Sequence, residues 1–142
     1  MEKLSYRPVE KSDLEKISRL PKDAEELFFM FPKADYPLTA NQLESAIVGR
    51  FDPTVFLCGE EIVAYANFYE AEENQYCSIG NVIVNPHFRN QGIGNFMIHT
   101  MEAIAVEKYN VSETHITCFN TNTKGLLLYS KLGYTPYGIE KW

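Results

Sequence analysis

The chain opens on a short strand-like run, residues 4–9, and then changes period. Leu14, Ile17 and Leu20 recur at helical spacing, Ser12 and Glu15 have the form of a capping box, and Pro21 ends the helix. Residues 23–31 form a second segment, acidic at its start and apolar from Leu27 onward. Thr39 and Gln42 make another capping-box pattern, predicting a helix that buries Leu43, Ala46 and Ile47 and closes at Gly49. From Pro53 the period is that of strands: residues 54–58 and 61–69 flank a Gly59-Glu60 turn, and a third strand covers 76–84. Asn85-Pro86 ends it. From Ile93 onward, the residues Ile93, Met97, Met101, Ile104 and Ala105 mark the apolar face of a long helix reaching about Tyr109. A strand over 111–119, a short helix over 122–131 capped by Gly133, and a last strand from Tyr134, weakened by Pro136 and Gly138, complete the chain. The order β-α-α-β-β-β-α-β-α-β predicts an α/β or α+β sandwich, antiparallel in its first half and with a crossover in its second.

Composition narrows the classes. A length of 142 residues suits one domain, and 45% apolar with 23% charged residues is an ordinary globular balance. The net charge of −6 argues against duplex nucleic acid as partner and agrees with a cationic acceptor. No run approaches the ~20 apolar residues of a membrane helix, and the first residues lack the apolar core of a signal peptide. Cys58, Cys77 and Cys118 show no CxxC spacing and read as buried thiols of a cytoplasmic protein.

The informative stretch runs from Val82 to Gly94, where a buried strand enters a loop with two glycines and the loop opens a helix. Amides at a helix start lack internal partners and the dipole there is positive, so the position holds an anion. Glycine also lets a phosphate approach the backbone. No Gly-Lys-Ser/Thr follows, and Met97 stands where a dinucleotide fingerprint has its third glycine. Local physics leaves two readings, a phosphate cradle and a purely structural turn. Downstream, Asn122, Leu126 and Tyr129 share one helix face, and Tyr129 alone has a plain packing explanation.

Taken together, Arg89-x-x-Gly92-x-Gly94, then Asn122 seven residues before Tyr129, then Gly133-Tyr134, resemble the GNAT family of acyl-CoA-dependent N-acetyltransferases. The resemblance implies a central mixed, mostly antiparallel sheet flanked by helices, whose fourth and fifth strands splay apart around acetyl-CoA. It implies that the main chain of Val82, Ile83 and Val84 pairs with the pantetheine arm. The pyrophosphate would sit on loop amides of Arg89, Asn90, Gln91, Gly92, Ile93 and Gly94, with Asn95 opening the helix. Asn122 would hydrogen-bond the pantetheine, and Tyr129 would protonate the departing thiolate while the amine attacks directly, with no metal. The acceptor implied is a primary amine of a small molecule or of a peptide or protein N-terminus.

Two departures accompany the resemblance. Where some relatives that modify N-termini place a glutamate, five residues before the motif asparagine, this chain has Thr117. Glu70, Glu72, Glu73 and His115 are the remaining base candidates, each with a structural explanation beside it, while His87 and His99 read as incidental. The chain also stops at Trp142, so either the family's last strand is missing or a second subunit covers the gap, making a homodimer one expectation. Phe28, Phe29, Met30, Phe31 and Leu38 read mainly as packing and Tyr36 as a pocket residue. The rival from another class is an acyl-CoA sensor without turnover, against which Tyr129 and Asn122 both speak.

Overall fold

A computed structural model describes residues 3–141. Five strands form one sheet in sequence order: β1 Leu4–Pro8, β2 Phe51–Cys58, β3 Glu61–Glu72, β4 Tyr76–Val84 and β5 Glu113–Ile116. The first three pairings are antiparallel and β4–β5 is parallel, which is the mixed, mostly antiparallel sheet the resemblance implies. Helices α1 Leu14–Ser18, α2 Ala24–Met30 and α3 Ala40–Ile47 precede β2. Their side chains Leu14, Ile17, Leu27 and Leu43 meet Val55, Leu57 and Tyr65 on one face of the sheet. The long α4, Ile93–Tyr109, buries Met97, Ile98 and Met101 against Phe56, Phe68 and Ile79 on the other. Helix α5, Thr123–Lys131, lies on that second side, where Tyr129 joins the same core. Among the described residues no helix is long and apolar enough to cross a membrane.

Several local expectations shift. Three helices, not two, stand before β2. The first capping box is made by Glu10 and Asp13 rather than Ser12 and Glu15: the Asp13 carboxylate accepts from the Glu10 amide at 2.8 Å and from both Arg7 terminal nitrogens at 2.7 and 2.9 Å. The Arg7 hydrogen bond holds this buried carboxyl below the ordinary carboxylate range. At α3 only half of the predicted box forms. Thr39 accepts from the Gln42 amide at 3.2 Å, but the Gln42 side chain turns back to bond the backbone of Asp35 and Pro37. The Tyr36–Pro37 peptide is cis. Gly133 and Tyr134 close α5 with left-handed φ at Gly133 and amide bonds to Ser130 and Tyr129 carbonyls, a Schellman arrangement.

The strand expected from Tyr134 is not formed: residues 134–141 are irregular. Pro136 supplies no ladder donor, and Tyr134 is tied by its side chain instead, its hydroxyl donating to Glu102 at 2.6 Å and lying 2.8 Å from Thr114 Oγ1. Trp142, on which the dimer expectation rested, lies outside the described residues. The strand expected over 111–119 shortens to the four residues of β5 because its partner turns away. That parting positions the site.

Candidate active site

Strand β4 is paired on both sides only along its first half. Its partners in β5 run from Tyr76↔Glu113 to Ile79↔Ile116, and beyond Ile79 the pairing with β3 alone continues, to Ala64↔Val84. Two bulges cause the turn. Between Tyr65↔Ile83 and Asn67↔Gly80 the strand β4 carries one residue more than β3, and Asn81 there has φ +54°. Between Phe68↔Ile79 and Glu70↔Ser78 the extra residue is Tyr69, in β3. Asn81 is locked from both ends: its amide donates to the Met30 carbonyl at 2.7 Å, and its oxygen accepts from Arg50 Nε at 2.8 Å. The first bond satisfies an otherwise orphaned carbonyl at the end of α2 and fixes that helix over the bulge.

The unpaired half of β4 holds Val82, Ile83 and Val84 and leads straight into the glycine loop. Asn85 caps a 3-10 turn over Pro86–Phe88, accepting from the His87 amide at 2.9 Å. Arg89 then folds back. Its guanidinium bonds Glu26 Oε2 at 2.6 Å and the Val84 carbonyl at 2.9 Å, so the side chain braces the loop against α2 and β4 while its main chain runs on. Asn90 and Gly92 both take left-handed φ, +64° and +80°. Gly92 is the N-cap residue of α4, has no side chain to cap it, and a Cβ placed there would meet only open space. Asn90, Gln91, Gly92 and Asn95 are exposed, whereas Ile93 is buried and anchors the helix start. Gly94 answers to packing: a Cβ would come 2.9 Å from Leu128 Cδ2 of α5. An unpaired strand edge thus ends at an uncapped, exposed helix start, an arrangement whose open main-chain groups and positive helix end suit an extended anionic ligand.

Asn122 is the N-cap of α5, its Oδ1 accepting from the Gly125 amide at 3.1 Å. No hydrogen bond among the described residues uses its Nδ2. Two turns on, the Tyr129 hydroxyl has no hydrogen-bond partner among the described residues, and its ring meets Tyr134 edge-on at 6.4 Å. Burial pushes this phenol up, and the nearby Cys118 thiol adds to the shift, so it keeps its proton past the ordinary range. Cys118 sits between β5 and α5, with Sγ 3.6 Å from the Phe119 carbonyl and 3.8 Å from that of Asn122. Cys77 is fully buried and its thiol is raised to about 11 by that burial, while Cys58 and Cys118 are half-buried.

Of the base candidates, Glu70 is engaged by the Tyr76 hydroxyl at 3.1 Å and Ser78 Oγ at 3.0 Å. Glu72 and Glu73 are exposed in the β3–β4 hairpin. His115 stacks on Tyr76 at 4.5 Å and lies between Glu113 and Tyr137, each 3.3 Å away. Thr117 is paired with the Tyr69 hydroxyl. Phe28 packs on Phe119 at 4.6 Å, Met30, Phe31 and Leu38 are buried, and the Tyr36 hydroxyl donates to the Lys22 carbonyl at 3.1 Å. Sequence reading missed Asn81, Glu26 and Tyr69. Gly80-Asn81 inside an apolar strand is a bulge signal that would have found the first. The Glu26–Arg89 pair spans 63 residues and leaves no local signature. Among the described residues no group of three or more His, Cys, Asp or Glu side chains is placed to hold a metal ion.

Residues 15–134 match the sequence profile of the acetyltransferase (GNAT) family. A search of curated protein sequences finds no significant match. Solved structures share the fold. A Vibrio cholerae spermidine N-acetyltransferase in complex with CoA and spermine superposes with TM-score 0.77 at 16% identity, over 95% of this chain and 82% of that one. A transcriptional regulator from Bacillus halodurans gives 0.77 at 19% identity, over 99% of each chain. A GNAT-family acetyltransferase from Streptococcus pneumoniae gives 0.71 at 18%, over 96% and 87%.

Proposed function

The chain belongs to the acetyltransferase (GNAT) family, and from that membership we propose that it transfers an acetyl group from acetyl-CoA directly to a primary amine. The observation that carries the reading is the parting of β4 from β5 beyond Ile79, which leaves Gly80 to Val84 unpaired on one side and delivers that edge to the uncapped start of α4. The groove fits the ligand. An amide-bearing arm would lie along Val82, Ile83 and Val84 as an added strand, meeting the main-chain groups that face away from β3, with the Val84 carbonyl already bonded to Arg89. Residues 90–95 offer amides to a pyrophosphate, and the open space at Gly92 admits it. Asn122 Nδ2 remains for the arm after Oδ1 has capped α5.

Acetyl-CoA, when bound, supplies the activated thioester. A β4 amide near Val82 then polarises the carbonyl oxygen as charge gathers on it. Tyr129 donates its proton to the departing sulfur, a role that a phenol raised by burial suits because it stays protonated at neutral and mildly alkaline pH. The acceptor reaches the carbon directly, so no cysteine is asked to act as nucleophile. The Vibrio neighbour, whose complex holds CoA and spermine, supports a small amine as acceptor, alongside peptide or protein N-termini.

The test is CoA release from acetyl-CoA with a panel of amines: spermidine, an arylethylamine and a peptide with a free N-terminus. Release that depends on one of these amines supports the enzyme. Saturable acetyl-CoA binding with no release on any of them supports the sensor instead. Tyr129→Phe is expected to lower kcat by roughly 100-fold while acetyl-CoA affinity stays within about twofold. Because the shift at Tyr129 is upward, the wild-type rate is expected to rise with amine deprotonation and show no acid-loss limb below about pH 10. An unchanged kcat in Tyr129→Phe would remove the acid assignment.

A further inference from the structure

We propose that the hydroxyls of Tyr69 and Thr117 form the seat of the acceptor amine. The inference rests on the acetyl-transfer reading above and concerns the side of the fork opposite Tyr129. The last β4–β5 pair is Ile79↔Ile116, so the next residues, Gly80 and Thr117, stand at the base of the fork. They are not joined by backbone. Tyr69 joins them instead: as the extra residue of the β3 bulge it turns its ring onto Gly80, and its hydroxyl hydrogen-bonds Thr117 Oγ1. The fit depends on glycine, since a Cβ on Gly80 would lie 2.5 Å from Tyr69 Cδ1.

The pair lies on the face that carries α1–α3. Gly80 is registered opposite Asn67, whose amide donates to the Tyr65 hydroxyl within the core on that side. Tyr129 belongs to the other core, with α4 and Ile116. A ligand threading the fork therefore meets an acid for its sulfur on one face and two hydroxyls on the other. Direct transfer needs this division, because the nucleophile and the departing thiolate occupy different sides of the reacting carbon. The Phe28–Phe119 contact crosses from α2 to the segment after β5, giving the acceptor's carbon skeleton an apolar neighbour.

A bonded hydroxyl pair spends one O–H internally and keeps oxygen lone pairs, which accept an N–H of a neutral amine and leave the nitrogen lone pair for the carbonyl. Neither member of the pair is a carboxylate, and Glu70, next to Tyr69 in β3, is already engaged by Tyr76 and Ser78. Thr117 is exposed, so the nitrogen's proton leaves through its hydroxyl to water. The step balances. The N–C bond forms, the C–S bond breaks, one proton passes from nitrogen to water, and sulfur takes one from Tyr129, which water restores.

Tyr69→Phe keeps the ring on Gly80 and Thr117→Val keeps the shape, so both variants should melt with wild type. Each is expected to lower kcat/KM for the amine about 10-fold with KM for acetyl-CoA within twofold, and the double variant to fall little further because the two hydroxyls act as one unit. Gly80→Ala, which displaces the Tyr69 ring, should reproduce the loss. Single variants that match wild type toward an amine on which wild type is active would overturn the seat alone. Parallel rises in KM for acetyl-CoA would also overturn it, marking the pair as part of the cofactor groove. Wild type that binds acetyl-CoA but releases no CoA with any amine would overturn both this proposal and the reading beneath it.

Discussion

The two halves of β4 behave differently although they are one strand. Tyr76 to Ile79 lies between β3 and β5, with Cys77 and Ile79 fully buried and each of the four residues paired on both sides, Tyr69 of β3 alone being left over. Gly80 to Val84 keeps β3 but loses β5, and contains the single left-handed residue of the strand, Asn81. The first half maximises pairing, as strands in a stable sheet do. The second leaves ladder groups open, a liability unless covered. A bulge costs ladder bonds, so it persists where something else holds it, and here Asn81 is held by the end of α2 and by Arg50. The contrast teaches that the groove is built into the sheet by two bulges, one in β4 and one at Tyr69 of β3, and does not wait for a ligand to open it.

That contrast can be broken from the loop or from the bulge. Gly92→Asp is expected to have the largest effect: a carboxylate at the helix start repels the pyrophosphate and should weaken acetyl-CoA roughly 300-fold by calorimetric titration, while a side chain on a φ of +80° strains the backbone and lowers stability by about 1 kcal/mol. Asn81→Ala comes next. It removes two hydrogen bonds, leaves the Met30 carbonyl without its partner, and should cost about 2 kcal/mol in chemical denaturation. Asn122→Ala is the smallest: loss of the α5 cap should cost about 1 kcal/mol, a melting shift of roughly 4 °C, plus a modest loss of acetyl-CoA affinity. If the Asn81 variant were as stable as wild type, the bulge would not need its clamp and the two halves of β4 would differ for another reason.

The parts of this site that were legible in sequence are those made by near neighbours. Gly133 ends α5 as its spacing predicts, and Gly92 and Asn122 stand at the N-termini of α4 and α5, within a residue of the starts that the sequence pattern predicts for those helices. Local chemistry still left a choice of frame at α1, where Asp13 bonded Glu10 and Arg7 and Ser12 did not take the cap. What sequence could not deliver was created by pairing across the sheet. Tyr69 over Gly80, Arg89 against Glu26, and the shortening of β5 to four residues all depend on which strand lies beside which. The missing final strand was a case of pattern outweighed by anchoring: Tyr134 is held by Glu102 and Thr114, and no ladder follows it.

The most direct test of the account is residue-resolved amide hydrogen exchange with and without acetyl-CoA. The two-halves picture predicts added protection at residues 80–84 and 92–95, with residues 76–79, already paired on both sides, unchanged. Saturable binding that leaves 80–84 and 92–95 at their ligand-free rates would contradict it.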